Sequence, residues 1–378
     1  MTRACSTSTP PTSSRRTWRT STPTPAPPAS RSSSAARCCT GSARRSSPTW
    51  AAAGSATGRS TTTWTSCAAS APSSTSGSRA STSPPPRGLQ GTKIHLPYPS
   101  VGATEQTLLT AVRAQGLTEL RNAAIEPEIT DLIAVLQKMG AIISVDTDRT
   151  IRIEGVERLS GYRHTALADR IEAGSWASAA LATHGDVFVR GATQPDMMTF
   201  LNTFRKVGGA FDVRDDGIRF WHPGGDLHSI VLETDVHPGF MTDWQQPLVV
   251  ALTQAKGLSI VHETVYENRF GFTDALRGMG ATIQIYRECL GGLQCRFGQR
   301  NFYHSAVVSG PTPLKAADIE VPDLRGGFSH LIAALAANGT SRVRGISIIN
   351  RGYENFMGKL EALDAKVTLA ESEVAPAL

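Results

Sequence analysis

Residues 169–213 read DRIEAGSWASAALATHGDVFVRGATQPDMMTFLNTFRKVGGAFDV, and this stretch contains one structural unit of the predicted fold. Its first part is small or apolar nearly all round, which predicts a helix buried inside a domain. A Gly-ended turn and a β-branched run then predict a strand, and apolar residues at i, i+3, i+4 and i+7 predict a one-sided second helix. A stop at Gly209 releases the chain into another short strand. The unit is therefore helix, strand, helix, strand.

The same unit recurs four times from Gly88 onward. The stops after the second helices fall at Gly140, Gly209, Gly280 and Asp364. In the last copy Asp takes the place of Gly, because Asp can adopt the left-handed conformation at some cost. The pattern predicts an α/β protein built from repeats, with the first helix of each repeat in the core.

Residues 2–87 use only Thr, Arg, Ala, Cys, Ser, Pro, Trp and Gly. This segment holds 11 of the 38 Lys and Arg residues and none of the 32 Asp and Glu residues, so the rest of the chain is mildly acidic. A nucleic-acid partner is therefore not favoured, although the whole sequence has a pI near 9.1. Without Leu, Ile, Val or Phe, the segment cannot bury enough apolar surface to fold, and we expect it to be disordered.

Four of the six cysteines lie in residues 2–87, and the other two are Cys289 and Cys295. These two are too far apart for a CxxC site, and we expect them to pack as small apolar groups in a reduced cytosol. The chain shows neither a signal peptide pattern nor the run of about 18 apolar residues that a membrane helix needs. A cytoplasmic protein without a membrane partner is expected.

Polar or charged clusters begin each first helix and predict a rim that binds anions. They are Ser100-Val101-Gly102, Asp169-Arg170, Thr242-Asp243 and Asp323-Leu324-Arg325, and the second helices add Arg269 and Arg351. Helix starts offer free N–H groups, and Arg forks suit phosphate or carboxylate. Taken singly, each Asp, Ser or Thr is explained as an N-cap and each Arg as a solvated surface group. His164, His184, His237 and His330 lack ligand spacing, which favours structural roles.

Several segments resemble one family closely and in order. They include PSVGATEQTLL (99–109), HPGFMTDWQQP (237–247), VPDLRGGFSHLIAALAANGT (321–340) and INRGYENFMGKLEALDA (349–365). The family is that of the UDP-N-acetylglucosamine enolpyruvyl transferases, or 1-carboxyvinyltransferases, within the EPSP synthase-like superfamily. The resemblance implies an α/β fold of two inside-out barrels made of three repeats each, where this chain shows four repeats and its N-terminal portion is missing or scrambled.

The resemblance also implies domain boundaries. Residues 88–167 would be the remaining part of the first, inserted barrel domain. Residues 168–370 would be the second barrel domain, which carries the catalytic base, and residues 371–378 would be a C-terminal tail.

The resemblance implies an addition-elimination reaction. The sugar 3-hydroxyl attacks the central carbon of phosphoenolpyruvate, whose methylene takes a proton, and the tetrahedral ketal then expels phosphate. Asp243 would be the general base toward that hydroxyl. Arg325 and Arg351 would clamp the phosphate and carboxylate of phosphoenolpyruvate, and Asp323 would help to hold that cluster. The reaction is the first committed step of peptidoglycan precursor synthesis.

Further positions follow from the resemblance as substrate-binding residues. The start of the first helix would meet the nucleotide diphosphate through its amides, Val265 would line the sugar site, and Asp169 with Arg170 would lie near the domain hinge. The set is Tyr98, Pro99, Ser100, Val101, Gly102, Asp169, Arg170, Val265 and Arg269. Phosphoenolpyruvate and UDP-N-acetylglucosamine are the expected partners, no metal or organic cofactor is implied, and the sequence indicates no oligomeric state.

The chain departs from the family pattern near its start. The family's N-terminal Lys-Asn pair, its loop with a Cys or Asp proton donor, and two further repeats are not found, so we expect the printed chain to be inactive or nearly so. Two alternatives stay open. One is a related transferase that uses another nucleotide or shikimate 3-phosphate. The other is a non-catalytic remnant that binds a UDP-sugar or a protein partner.

The alphabet of residues 1–87 suggests an origin for this departure. Apart from Met1, its eight residue types are those whose codons carry C or G at the second base. In a GC-rich gene the third base of a codon is nearly always C or G. A shifted reading frame in which these third bases are read as second bases would therefore produce only these eight residue types. We hypothesise that residues 1–87 are an out-of-frame translation. The alternative is a genuine low-complexity tail fused to a truncated enzyme.

Overall fold

The computed structural model describes residues 18–19, 88–293 and 295–370. The expectations of a disordered or out-of-frame segment at 1–87 and of a tail at 371–378 concern residues outside this set, apart from a two-residue strand, β1 (Trp18–Arg19). The described chain forms two compact units. One comprises residues 88–167 with Val236–Pro238, and the other comprises Ala168–Asp235 and residues 239–370. Within the described residues, no helix is both long and apolar enough to cross a membrane.

The smaller unit is a four-stranded sheet with two helices. Its elements in chain order are β2 (Lys93–His95), α1 (Val101–Ala111), β3 (Leu117–Arg121), α2 (Pro127–Lys138), β4 (Ile142–Val145) and β5 (Ile151–Glu154). The strand order is β2-β3-β5-β4, with β2 and β3 parallel and the other pairs antiparallel. Leu108 on α1 and Ile151 on β5 are fully buried in the apolar core of this unit.

The larger unit begins with a copy of the same arrangement. It contains α3 (Arg170–Ala182), β6 (Asp186–Arg190), a 3-10 turn (Pro195–Met197), α4 (Met198–Val207), β7 (Ala210–Arg214) and β8 (Gly217–Trp221). The strand order is β1-β6-β8-β7.

A second copy and part of a third complete the larger unit. The second has β9 (Leu227–His228), β10 (Val231–Glu233), α5 (Thr242–Leu252), β11 (Ala255–His262), a 3-10 turn (Arg269–Phe272), α6 (Thr273–Gly278), β12 (Thr282–Tyr286) and β13 (Ser305–Gly310). The last has β14 (Asp318–Glu320), α7 (Leu324–Ala336), β15 (Arg342–Arg344), α8 (Ile346–Ile349) and α9 (Phe356–Ala362).

Each complete copy has one strand more than the sequence pattern predicted. After the second helix and its strand, the chain turns back into a hairpin strand, which is β5, β8 or β13. That strand lies in the middle of its sheet, between the two strands the pattern predicted. The repeat is therefore helix, strand, helix, strand, strand. The prediction of a four-element unit missed the last strand.

The first helices of the larger unit pack against one another, as their composition predicted. Helices α3, α5 and α7 contact each other pairwise, and nearly every residue of α3 and α5 is buried. Small side chains permit this close approach, since a Cβ on Gly174 of α3 would lie 2.6 Å from the Trp244 ring of α5. The α/β class and the repeated unit with an internal helix are confirmed.

The helix stops are confirmed at three of the four expected positions. Gly140 and Gly280 have φ of 100°, and Asp364 has φ of 52°. The exception is Gly209, because Gly208 takes the left-handed conformation (φ 107°) that ends α4. Gly209 is required for another reason, since a Cβ there would collide with the Phe204 ring.

The strand expected after Asp364 is not formed. Residues 365–370 have no regular structure. In the three other copies this strand pairs with the hairpin strand that follows it. Residues 365–370 have no such partner among the described residues, and an isolated strand leaves its backbone groups unpaired.

Candidate active site

The starts of α3, α5 and α7 carry acidic residues at one end of a packed helix group. Asp169 is the N-cap of α3, and its Oδ1 accepts from the backbone N–H of Ile171 (2.8 Å) and Glu172 (3.1 Å). Asp323 is the N-cap of α7 and accepts in the same way from Arg325 and Gly326. The capping explanation is therefore correct for these two residues.

Asp243 behaves differently from the two caps. Met241 is the N-cap of α5, so Asp243 lies inside the first turn, and its Oδ1 accepts a hydrogen bond from Nη2 of Arg269 in an ion pair. The side chain of Arg269 is 9% exposed and that of Asp243 is 25% exposed. The Arg269 guanidinium also lies over the Tyr266 ring, 4.8 Å from its centroid. The ion pair joins two residues that the sequence had placed at separate helix entrances.

Arg325 lies near Asp169 and is influenced by the charge of Asp243. Its Nη1 is 3.7 Å from Asp169 Oδ2, too far for a hydrogen bond, and this buried nitrogen has no hydrogen-bond partner in the described part of the chain. Burial acts to lower the pKa of Arg325, but the charges of Asp243 and Asp169 outweigh it and the pKa is raised. One charged cluster is therefore formed by Asp169, Asp243, Arg269 and Arg325, in which a buried guanidinium nitrogen of Arg325 has no acceptor.

Tyr353 closes one side of this cluster and was missed in the sequence. Its hydroxyl is 3.0 Å from Ser175 Oγ of α3, its ring stacks on Phe328 at 4.3 Å, and the Arg325 guanidinium lies 5.8 Å from the ring centroid. Burial raises the pKa of Tyr353 to about 12. The segment INRGYENF contained this tyrosine, and a buried aromatic beside a candidate Arg was the signal that could have identified it.

Arg170 has a packing role at the helix crossing. It is buried, its guanidinium lies 5.2 Å from the Trp244 ring centroid, and its backbone carbonyl accepts from Trp244 Nε1 at 2.9 Å. This contact joins the start of α3 to the first turn of α5, which carries Asp243.

A buried glutamate fixes the segment around Val265. Glu263 accepts from the backbone N–H of Val265 (2.8 Å) and Tyr266 (2.9 Å) and from the Thr242 hydroxyl (2.9 Å). Burial raises the pKa of Glu263, against the lowering effect of these donors and of Arg269. The Val265 backbone is thereby tied to the start of α5, where Thr242 precedes Asp243.

Arg351 is not joined to the charged cluster. Its side chain is exposed in the turn that follows α8, and it makes no ion pair or side-chain hydrogen bond with the residues that the structure describes. Its role as a second clamp stays a prediction. Of the histidines, His330 is buried on α7, its Nδ1 donates to the Gly326 carbonyl (2.8 Å), and burial lowers its pKa.

The remaining predicted binding residues belong to the smaller unit. Tyr98 and Pro99 precede the helix start, and Ser100 caps α1 by accepting from the Ala103 N–H at 3.3 Å. Val101 is 37% exposed, and the space around Gly102 is open. These features make an accessible helix N-terminus.

The comparison with protein families gives one match over most of the chain. Residues 74–360 match the family described as EPSP synthase (3-phosphoshikimate 1-carboxyvinyltransferase).

Two curated relatives carry the same name, UDP-N-acetylglucosamine 1-carboxyvinyltransferase. The protein from Protochlamydia amoebophila is 59% identical over 76% of this chain and 62% of its own length. The protein from Chlamydia pneumoniae is 50% identical over 76% of this chain and 63% of its own length. The chain thus spans about three fifths of the length of these relatives.

Solved structures are similar in fold. The enolpyruvyl transferase NikO from Streptomyces tendae aligns with a TM-score of 0.63 at 23% identity, covering 74% of this chain and 66% of that protein. An EPSP synthase from Acinetobacter baumannii aligns with a TM-score of 0.53 at 17% identity, covering 72% of this chain and 62% of that protein. At these identities the likeness concerns the fold alone.

Proposed function

The chain belongs to the EPSP synthase family, and we propose that it carries the base and part of the phosphoenolpyruvate site of an enolpyruvyl transferase acting on UDP-N-acetylglucosamine. The observation that carries the proposal is the cluster of Asp243, Arg269, Arg325 and Asp169 at the starts of internal helices. The names of the two relatives support the acceptor.

Asp243 is the proposed general base. It takes the proton of the sugar 3-hydroxyl as that oxygen attacks the central carbon of phosphoenolpyruvate, while the methylene carbon gains a proton. The tetrahedral ketal then loses phosphate and a proton, which restores the vinyl group. The ion pair with Arg269 fixes the position of the carboxylate at the start of α5.

Arg325 is the proposed anion ligand. Phosphoenolpyruvate carries a phosphate and a carboxylate, and a buried guanidinium N–H without an acceptor is matched to either group. Asp169 and Asp243 keep Arg325 charged in its buried position. Exposed Arg351 would supply a second guanidinium only when the substrate is bound.

The nucleotide diphosphate is proposed to bind at the start of α1. The first N–H groups of a helix have no partner within the helix, and the helix dipole favours negative charge there. Val101 and Gly102 leave this end open to a ligand. The product would be a precursor of peptidoglycan, made in the cytoplasm.

The test is phosphate release from phosphoenolpyruvate with each acceptor in turn. Because the chain lacks the family's N-terminal elements, the assay uses the printed chain and a version whose first 87 codons are read in the restored frame. The restored protein should release phosphate with UDP-N-acetylglucosamine, and the printed chain should be inactive or nearly so. Preference for shikimate 3-phosphate would refute the acceptor. Calorimetric binding of UDP-N-acetylglucosamine without turnover in the restored protein would instead indicate a non-catalytic remnant.

A further inference from the structure

Two cysteines and two histidines meet outside the charged cluster. The ligand atoms of His262, Cys289, Cys295 and His304 all lie within 4.8 Å of one another. Both imidazoles are fully buried, Cys295 is partly buried, and Cys289 is exposed. The expectation that both cysteines pack as apolar groups is therefore wrong for Cys289.

In both histidines Nδ1 is engaged in a hydrogen bond, so Nε2 is the ring nitrogen that a metal could use. Nδ1–H of His262 donates to Glu233 Oε2 at 3.2 Å, and Nδ1–H of His304 donates to the Phe302 carbonyl at 2.9 Å. These acceptors fix the tautomer and leave a lone pair on each Nε2. Carboxylate and carbonyl partners of this kind are typical of metal-bound imidazoles.

Hydrogen bonds between the four side chains do not give every buried polar atom of the cluster a partner, as His262 shows. Cys289 Sγ lies 3.3 Å from Nε2 of His304, which a simple S–H···N hydrogen bond would explain. Nε2 of His262, however, is buried without a hydrogen-bond partner in the described part of the chain. A buried acceptor without a partner costs free energy, and a cation at the centre of the four atoms would satisfy it.

The distances suit a small tetrahedral ion. With Zn–S near 2.3 Å and Zn–N near 2.0 Å, the edges of a tetrahedral site are about 3.3–3.8 Å. The Cys289–His304 distance of 3.3 Å is already of this size, and no pair of ligand atoms is more than 4.8 Å apart, at most about 1 Å beyond such an edge. Two thiolates also balance the charge of a divalent ion.

The loop that carries three of the ligands is long for its place in the repeat. It connects β12 to β13 across residues 287–304, whereas the corresponding connections are residues 146–150 and 215–216. Its described residues form no helix or strand. Loops of this length without secondary structure are uncommon in compact domains unless they are functional. A metal would cross-link the loop to the end of β11, where His262 lies.

Backbone contacts hold the loop against the cluster. The N–H of Phe297 donates to Cys295 Sγ at 3.3 Å, and the N–H groups of Gly292 and Leu293 each donate to Glu233 at 2.8 Å. A side chain at Gly291 would collide with His262 and Glu233. The loop therefore approaches His262 as closely as its backbone allows.

We propose that His262, Cys289, Cys295 and His304 form a structural Zn²⁺ site that anchors the 287–304 loop. Two thiolates and two imidazoles are a ligand set that zinc prefers, and four protein ligands leave no open position for catalysis. Metal binding would release the two thiol protons. Because Glu263 follows His262 and holds Thr242, Val265 and Tyr266, the site would also stiffen the segment beside Asp243.

The experiment uses the full chain with Cys5, Cys38, Cys39 and Cys67 replaced by Ser, so that Cys289 and Cys295 are the only thiols. Elemental analysis should find one zinc per chain, and zinc should protect both thiols from a thiol reagent. The cobalt-substituted protein should show the intense d–d bands of a tetrahedral site and a thiolate-to-cobalt charge-transfer band. A folded protein without that band, or a Cys289–Cys295 disulfide by mass spectrometry, would overturn the proposal.

Variants separate the four ligands from other residues. Cys289→Ser, Cys295→Ser and His304→Asn should each lose the bound zinc and have a lower Tm. The control His228→Asn, at an exposed histidine, should keep the bound zinc and an unchanged Tm. Glu233→Gln should retain the cobalt spectrum with zinc affinity reduced about 10–100-fold, because Glu233 orients His262 and the loop backbone but is not itself a ligand. Unchanged zinc content in the two cysteine variants contradicts the site.

Discussion

At the scale of single residues, the first question is which helix-start acids are caps. The sequence cannot separate a cap from a base, because an Asp at a helix start can serve in either role. The structure separates them by what each carboxylate contacts. Asp169 and Asp323 accept from backbone N–H groups, whereas Asp243 pairs with Arg269. Of these three acids, only Asp243 does not cap its own helix with its carboxylate.

Asp243→Asn should abolish turnover in the frame-restored protein and leave nucleotide binding unchanged. An amide cannot accept the sugar proton, and general base catalysis contributes about 10²–10⁴-fold to rates. Phosphate release and calorimetry measure the two properties. Asp274→Asn is the matched control, because Asp274 also pairs with an arginine, Arg277, but is 74% exposed on α6. A rate for Asp243→Asn within a few-fold of the control would remove Asp243 from its assigned role.

The raised pKa of Tyr353 predicts that the free energy of unfolding depends on pH in the alkaline range. Its pKa is raised to about 12 in the folded protein, against about 10 in an unfolded chain. Between these values the folded state holds a proton that the unfolded state has lost. The free energy of unfolding should therefore fall as pH rises from about 10 to about 12, by at most about 1.4 kcal/mol per pH unit from this group.

Denaturant unfolding at several pH values tests this dependence. Tyr353→Phe should be less stable at neutral pH, because it loses the hydroxyl contact with Ser175, but its stability should fall less steeply above pH 10. Tyr303→Phe, at a tyrosine that is 38% exposed, should keep the steep fall. Equal slopes in the two variants would show that Tyr353 does not titrate as proposed.

At the scale of elements, the buried first helices explain why this fold needs small residues. The sequence DRIEAGSWASAALATHG predicted α3 as an internal helix, and its crossing with α5 confirms the reason. Gly174 faces the Trp244 ring, and the Trp244 indole donates to the Arg170 carbonyl. The crossing therefore also sets where the start of α5 lies.

Gly174→Ala should destabilise the larger unit by about 1–3 kcal/mol, because its Cβ would lie 2.6 Å from the Trp244 ring. Thermal or denaturant unfolding measures the change. Gly278→Ala is the matched helical control, since nothing lies within 4 Å of its Cβ. That variant should be stabilised by up to about 1 kcal/mol through helix propensity. A gain of stability in both variants would mean that α3 and α5 can separate without cost.

Asp364 is the one helix stop in the repeats that is not glycine. It has φ of 52°, a conformation that costs a non-glycine residue about 1–2 kcal/mol. Asp364→Gly should therefore raise the free energy of unfolding by about 0.5–1 kcal/mol, after the added freedom of Gly in the unfolded chain is subtracted. The reciprocal change Gly280→Asp, at φ of 100°, should be destabilising. A less stable Asp364→Gly protein would show that the Asp side chain has a further role.

The hairpin strands show the limit of pattern reading at this scale. Helical periodicity and Gly stops predicted both helices of each unit, since these signals are local in the sequence. The strands β5, β8 and β13 are short, and their central place in each sheet comes from pairing with the first strand of the unit. Pairing between strands that are distant in the chain produces no clear pattern in the local sequence.

At the scale of the whole molecule, both sites depend on contacts between distant segments. Helix-start patterns predicted the candidate residues, but they could not show that Arg269 pairs with Asp243 or that Arg351 lies apart from them. The histidine and cysteine cluster was missed because His262 comes from β11 and the other ligands from a later loop. Spacing rules detect ligands that lie near one another in the chain, but these four ligands are far apart in sequence.

Residues 1–87 should differ between the printed sequence and the natural protein. If the segment is an out-of-frame translation, the protein made in the cell has Lys, Asp and Glu in that region, and restoring the frame also restores the family's N-terminal elements. Tryptic peptide mass spectrometry of the protein from its source should therefore find peptides of residues 88–378 but not the printed peptide STTTWTSCAASAPSSTSGSR of residues 60–79. The recombinant printed chain is the control that shows this peptide can be detected. Its detection in the natural protein, with an uninterrupted frame in the genomic DNA, would establish the segment as a genuine tail.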